Sequence, residues 1–199
     1  MRGMRIRTIT APTIEPVTLE EGRLWCKLAS DDTTQDWAIL LLIEAMREYA
    51  EDYTGRAFAA RTLEARMDCF PSREIELPNP PLRLVNYIDY VDTDGTLQRM
   101  SGSPSQWQED IYREPGRIAP LYLESWPATY GIFDAVRISF DCGYATANEI
   151  PKRLRQWIQT RIATLYNNRE QVILANIVKI PRDFADGLLD GLMLGRRLA

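Results

Sequence analysis

Apolar residues recur at three- and four-residue spacing in several stretches of the chain, which is the pattern of an amphipathic helix. One such stretch begins at Pro151 and fades near Asn167, and the positions of its stripe are Leu154, Trp157, Ile158, Ile162 (or Arg161) and Leu165. A single apolar stripe needs a partner surface, and the other strongly helical stretches lie far earlier in the chain. We therefore expect the fold to close over a long insertion.

A first helix is predicted from Leu19 to about Ala29. Thr18 followed by Glu21 has the spacing of a capping box, which satisfies backbone N–H groups at a helix start. The positions that we expect to be buried are Leu19, Leu24 and Leu28.

A second helix is predicted from Gln35 to Thr54, with Gly55 as its stop. The expected apolar face comprises Trp37, Leu40, Leu41, Ala45 and Tyr49, or Ala50 and Tyr53 in place of Tyr49. Charge pairs are expected on the other side, from Glu44, Arg47, Glu48 and Glu51. The short connection after the first helix predicts that the two helices are antiparallel neighbours.

Between these helices and Pro151 the pattern changes to the two-residue alternation of strands. Arg61–Cys69 and Val136–Cys142 alternate most clearly, and Thr93–Thr96 is a hairpin signal. Shorter strands are predicted at Ile75–Leu77, Leu84–Asp92, Leu97–Met100, Trp107–Tyr112 and Arg117–Leu123. The sequence therefore predicts a small antiparallel sheet or barrel in this region.

The fold class that follows is α+β, with a small helical bundle formed by N- and C-terminal helices around a central antiparallel β insertion. A last helix is predicted from Pro181, with Phe184, Leu188, Leu189 and Leu192 on one face. The expected divisions are an extended N-terminal arm at 1–16, the bundle at 17–56 and 150–180, the insertion at 57–149 and a C-terminal segment at 181–199.

Composition removes several chemistries. The 199 residues include no histidine, so the usual neutral-pH base and the commonest metal ligand are missing. The net charge of −4 does not indicate a nucleic-acid or anionic-membrane protein. The longest apolar run, Trp37–Ile43, is far short of the ~20 residues that span a bilayer. Cys26, Cys69 and Cys142 form no CxxC pair and are interpreted as reduced core residues.

The remaining candidate sites have plainer interpretations. Glu48, Glu51 and Asp52 resemble an acid/base group, but carboxylates on an amphipathic helix usually form a solvated face. Similarly, Asp89, Asp92 and Asp94 resemble a loose calcium loop, yet a hairpin is the better interpretation. A carbohydrate- or peptide-binding module using the aromatic residues Trp107, Trp126 and Tyr130 stays open as an alternative function.

The order of short motifs resembles the head–tail connector, or adaptor, family of tailed bacteriophages and gene transfer agents. The motifs are Pro16–Glu21, Glu48–Arg56, Ile75–Leu82, Val91–Gly95, Trp126–Pro127, Gly143–Tyr144, Ile150–Pro151 and Leu165–Glu170. The resemblance covers most of the chain from Pro16 to Glu170 and is looser beyond it.

The resemblance implies a structural protein without catalysis, cofactor or metal. Relatives form a ring, usually dodecameric in the virion, below the portal protein. They join the capsid to a stopper or other tail-side neck protein and continue the DNA channel without sequence-specific binding. The expected location is the neck of a virion or phage-like particle made in the bacterial cytoplasm. By the same analogy, the expected portal contacts are Phe184, Leu188, Leu189, Leu192, Arg196 and Arg197.

Overall fold

A computed structural model describes residues 4–29, 31–101, 106–167 and 187–194, which belong to two compact units. The β unit comprises 1–13 and 60–143, and the helical unit comprises 14–59 and 144–199. In chain order the elements are β1 (Arg5–Thr10), α1 (Leu19–Trp25), α2 (Asp36–Thr54), β2 (Arg61–Met67), β3 (Ile75–Glu76), β4 (Leu82–Val91), β5 (Leu97–Ser101), β6 (Trp107–Asp110), β7 (Arg117–Pro120), β8 (Val136–Cys142) and α3 (Lys152–Asn167). This mixture confirms that helices and antiparallel sheets are combined, and the expected description as a small helical bundle with one β insertion is confirmed only in part.

The β unit contains a five-stranded antiparallel sheet in the order β1-β2-β8-β4-β5. The central strand β8 alternates as predicted, and the register places Ile138 between Ala65 of β2 and Ile88 of β4. All three side chains are fully buried. The hydrophobic alternation therefore fixes this register, because a slip of one residue would turn these side chains to the other face.

A second antiparallel sheet has the order β3-β7-β6. Its buried side chains include Ile75, Trp107 and Ile118, one from each strand. The β region is therefore two sheets rather than the single small sheet or barrel that was expected.

Three details of the β unit differ from the predictions. The N-terminal segment is extended, but Arg5–Thr10 forms an edge strand paired with β2, so it belongs to the sheet. Strand β7 ends at Pro120, and Leu123 lies in an exposed turn at a φ of 64°. Cys69 is exposed because β2 ends at Met67, whereas Cys26 and Cys142 are buried as expected.

In the helical unit the predicted helix signals are confirmed. Thr18 Oγ1 accepts a hydrogen bond from the backbone N–H of Glu21, and the Glu21 carboxylate accepts one from the N–H of Thr18. Gly55 ends α2 at a φ of 72°, a backbone conformation that glycine adopts without steric cost. The helices share a core whose buried members are Val17, Cys26, Ile39, Ile43, Ala50, Phe58, Ile150, Leu154, Trp157, Ile158, Ile162, Leu189 and Leu192.

The predicted burial of α1 and α2 was partly wrong. Leu24 is 73% exposed, because α1 ends at Trp25 and uses Gly22 for its closest approach to Ile39 of α2. On α2, the buried positions are Ile39, Ile43, Arg47, Ala50, Glu51 and Thr54. The predicted face with Trp37, Leu40, Leu41 and Tyr49 is exposed. Its first half is apolar on every side, so periodicity alone could not choose the core-facing side.

Candidate assembly surfaces

A buried ion network determines which side of α2 faces the core. The Arg47 side chain donates to both carboxylate oxygens of Glu15, at 3.1 and 2.9 Å, and to Glu51 at 2.9 Å. Glu51 also accepts a hydrogen bond from the backbone N–H of Phe58 at 2.8 Å. These bonds join the segment before α1, the middle of α2 and the segment after α2. Arg47 and Glu51, which the pattern assigned to the charged side of α2, can therefore be buried because they are paired.

Burial and neighbouring charge have opposite effects on the pKa of Glu15. Burial raises the pKa of Glu15, and this outweighs the nearby Arg47 guanidinium, which lowers it. The neighbouring carboxylates Glu44 and Glu51 raise the pKa further. The network therefore combines a favourable ion pair with the cost of burying charge.

The leucines expected at a portal contact lie on the helical unit. Leu189 and Leu192 are buried in its core, and Leu188 packs against that core while remaining partly exposed. Residues 187–190 form one helical turn. Phe184, Arg196 and Arg197 lie outside the described residues, so the structure brings together three members of the predicted set.

Backbone and polar bonds hold the 187–194 segment against the end of α2. The phenol of Tyr53 donates to Asp190 at 3.1 Å, and the backbone N–H of Leu194 donates to the Thr54 carbonyl at 3.2 Å. Arg56 Nε donates to the Leu192 carbonyl at 2.5 Å. The segment therefore has a defined position on the helical unit.

A surface that the sequence assigned to the core is exposed at the corner of α1 and α2. The ion pair between Arg23 and Asp36 joins the two helices, with Arg23 Nε 2.8 Å from the carboxylate. The large apolar side chains next to this pair in the chain are exposed, namely Leu24, Trp25, Trp37, Leu40 and Leu41. Exposed aromatic and aliphatic side chains of this kind often mark a protein–protein contact.

The same side of α2 continues as a row of acidic residues. Glu44, Glu48 and Asp52 are exposed at four-residue spacing, which aligns them on one side of the helix. We call the set Trp37, Leu40, Leu41, Glu44, Glu48 and Asp52 the outer face of α2. The sequence pattern indicated a solvated position for the carboxylates, but it assigned Trp37, Leu40 and Leu41 to the core.

The candidate acid/base and calcium groups do not converge on a site. Glu51 is buried in the ion network, whereas Glu48 and Asp52 are exposed. Asp92 closes the β4–β5 hairpin by accepting from the backbone N–H groups of Asp94 and Thr96, at 3.0 and 2.9 Å. Across the described parts of the chain, no cluster of three or more Cys, Asp or Glu side chains could hold a metal ion.

The aromatic residues of the β unit are mostly structural. Trp107 and Trp126 are buried, and the Trp126 ring stacks on Phe70 with centroids 4.9 Å apart. The Trp126 ring N–H donates to the Arg73 carbonyl at 2.6 Å. Both tryptophans are therefore occupied in the core, and only Tyr130 of the three predicted aromatics is substantially exposed.

Tyr130 lines an open groove of about 840 Å³ in the β unit. The other lining residues are Arg5, Asp68, Cys69, Thr129, Gly131, Ile132 and Phe133. Arg5 donates to Asp68 at 3.1 Å and to Asp134 at 2.5 Å, so its charge is neutralised by its own unit. The groove has an exposed apolar rim but no convergent catalytic groups among its lining residues.

None of the helices in the described ranges has the length and apolar character needed to cross a bilayer. No protein-family model matches the chain, and no curated protein matches it in sequence.

The fold is shared with chains from solved structures of gene transfer agent particles. A structure of the neck of an empty particle, computed with C6 symmetry, contains a chain with a TM-score of 0.77 and 20% identity, and the match covers 98% of each chain. A native virion contains one with a TM-score of 0.73 and 20% identity, covering 98% of this chain and 97% of the other. The structure of a native neck computed with C12 symmetry contains a chain with a TM-score of 0.66 and 19% identity, and the match covers 98% of each chain.

This similarity extends over nearly the whole chain, so both units share the fold. The fold is therefore the α+β fold of chains in these gene transfer agent structures. The resemblance inferred from the sequence motifs is thereby confirmed for the fold.

Proposed function

We propose that this protein is a structural adaptor in the neck of a phage or phage-like particle. The observation that carries the proposal is the match over 98% of both chains to a chain in a gene transfer agent neck. The described residues also offer surfaces for assembly rather than converging reactive groups. The protein acts by holding other proteins in place, without a catalytic step.

The adaptor forms a ring of identical copies below the portal and continues the DNA channel toward the stopper or tail-side neck protein. Necks computed with C6 and with C12 symmetry both contain chains of this fold, which supports a ring and favours twelve copies. Closed rings arise when two different surfaces of each copy meet around an axis. The net charge of −4 suits a channel through which DNA slides, because dense positive charge would retain phosphates.

The C-terminal segment is the proposed portal contact. Burial of Leu189 and Leu192 gives this segment a fixed starting point on the helical unit. In this arrangement Leu188 lies partly exposed beside the core, and Phe184, Arg196 and Arg197 supply the apolar and charged contacts to the portal. Leu189 and Leu192 act by positioning the segment.

Co-sedimentation with the purified portal ring of the same particle tests this function. The wild-type chain should bind the portal, and electron microscopy of the complex should show a ring of adaptor copies on one end of it. A chain that never binds the portal would refute the adaptor function.

A charge-reversal variant tests the proposed docking site independently of the adaptor function. Arg196→Glu with Arg197→Glu should weaken portal binding at least about tenfold, because charged contacts at an interface are replaced by repulsive ones. The matched control is Arg83→Glu with Arg137→Glu, the same charge change at exposed strand positions of the β unit. Equal binding by both double variants would refute docking through the C-terminal segment and leave the adaptor function standing.

A further inference from the structure

The outer face of α2 has no covering element among the described residues, although it is rich in residues that proteins usually bury. Trp37 is 71% exposed and Leu41 is 57% exposed. Leu40 completes an apolar patch in the first half of the helix, and the acidic row occupies the second half. A patch of this composition is typical of the centre of a protein–protein contact, with a charged border.

A surface of complementary charge lies on α3 of the same unit. The charged side chains of α3 are all basic, namely Lys152, Arg153, Arg155 and Arg161. Arg155 forms an ion pair with Glu21 of α1, and Arg161 lies over the Trp157 ring at 5.6 Å. Lys152 and Arg153 are exposed at the start of the helix, and the Arg153 guanidinium lies beside Gly191 of the same unit. By contrast, α2 carries Asp36, Glu44, Glu48, Glu51 and Asp52 against the single basic residue Arg47.

The two surfaces point in different directions. Tyr49 stacks on Trp157 with ring centroids 5.7 Å apart, so α3 lies on the Tyr49 side of α2. Glu48 precedes Tyr49 by one residue, which turns it by about 100° around the helix axis. The acidic row therefore lies on a different side of α2 from the Tyr49 contact with α3.

We propose that the outer face of α2 of one copy binds the Lys152–Arg153 end of α3 on the next copy of this chain. Trp37, Leu40 and Leu41 form the apolar centre of this contact, and the acidic row pairs with the two basic residues. Because the two surfaces differ, the contact is heterologous and repeats around a closed ring. The inference rests on the proposed ring and names the surfaces that build it.

Two charge-reversal variants of the full chain test this pairing. The acid-reversed variant is Glu44→Lys with Glu48→Lys, and the base-reversed variant is Lys152→Glu with Arg153→Glu. Lysine is a good helix former, and acidic residues are favoured in the first turn of a helix, so both variants should keep their helices. Circular dichroism verifies this before assembly is measured.

Self-association is measured by sedimentation over a range of protein and salt concentrations. The wild-type chain should form oligomers, and each variant alone should associate about a hundredfold more weakly because like charges then meet. An equimolar mixture of the two variants should recover oligomers of wild-type mass. In that mixture every contact again joins an acidic surface to a basic one.

The apolar centre has its own test. Trp37→Ser with Leu41→Ser should weaken association about tenfold or more, because these side chains occupy the middle of the contact. The matched control is Tyr122→Ser with Leu97→Ser, which removes exposed apolar side chains from the β unit. The control should associate like the wild-type chain.

Each remaining outcome would overturn the proposal in a recognisable way. A mixture that stops at dimers would show that the outer faces of α2 meet one another. Wild-type oligomers that resist both reversals would show that other surfaces build the ring. A wild-type chain that stays monomeric, with Trp37→Ser lowering its stability, would indicate that residues 168–186 of the same chain cover the face. In all three cases portal co-sedimentation still decides the adaptor function separately.

Discussion

Replacing Arg47 with methionine tests whether the buried ion network sets the position of α2. Methionine keeps an unbranched, flexible side chain of similar reach, so the main change is the lost charge and its hydrogen bonds. Arg47 itself is only 4% exposed. The substitution therefore removes the cation that the Glu15 and Glu51 carboxylates share and that also lies 3.7 Å from the exposed Glu48 carboxylate.

The expected loss in the free energy of unfolding depends on how far the Glu15 and Glu51 carboxylates are buried. Removing one partner from a buried ion pair costs about 3–5 kcal/mol, since the other charge stays buried. Glu51 matches this case, because its side chain is only 7% exposed and also accepts a hydrogen bond from the Phe58 N–H. Glu15 is 26% exposed and can be partly solvated. The loss should therefore lie near the lower end, at about 3 kcal/mol.

Urea unfolding followed by the helical circular-dichroism signal measures this free energy. The control is Arg113→Met, which removes an exposed arginine that bonds Glu76 at 3.0 Å and should cost no more than about 1 kcal/mol. Adding Glu51→Gln to the Arg47 variant should recover about 1–2 kcal/mol, because it removes a buried negative charge that no longer pairs with Arg47. A loss below about 1 kcal/mol for Arg47→Met would refute the role of the network.

The remaining predictions concern stability. Gly55→Ala should lower the free energy of unfolding by about 1–2 kcal/mol, because alanine is strained in the left-handed backbone conformation at this position. The loss should exceed that of Gly95→Ala. The added Cβ at Gly55 would lie 3.2 Å from the Leu194 side chain, whereas the space around Gly95 is open. Leu189→Ala should lower the free energy of unfolding by about 2–5 kcal/mol, because Leu189 is buried. Leu165 is more exposed, so Leu165→Ala should lower it by less than about 1 kcal/mol in the same assay. Equal losses would contradict burial of Leu189 in the core. Burial raises the pKa of Glu15 above its ordinary value of 4.5, so the folded chain holds that proton more tightly than the unfolded chain, and stability relative to Glu15→Gln should rise as the pH falls toward 4.5. The opposite slope would mean that the Arg47 charge outweighs burial.

Local signals in the sequence predicted helix ends and strand bounds correctly in several places. The Thr18–Glu21 capping box and Gly55 specify helix ends through nearby backbone groups, and the strand Val136–Cys142 has the predicted bounds. The five-stranded sheet order was not predictable, because β1 pairs with a strand more than fifty residues later. The candidate site was predicted only in part, since the same leucine spacing at Leu188–Leu192 fits both a docking helix and a core contact.

The outer face of α2 shows why spacing alone gave the wrong side of that helix. Trp37–Ile43 is apolar on all sides, so the first half of α2 allows several orientations toward the core. The second half of α2 fixes which side of the helix faces the core, because Arg47 and Glu51 can be buried only where each finds a partner of opposite charge. Once that pair faces inward, helical geometry turns Trp37, Leu41 and the acidic row outward. A buried ion pair thereby positions an exposed apolar surface, which links the fold of one copy to the contact proposed between copies.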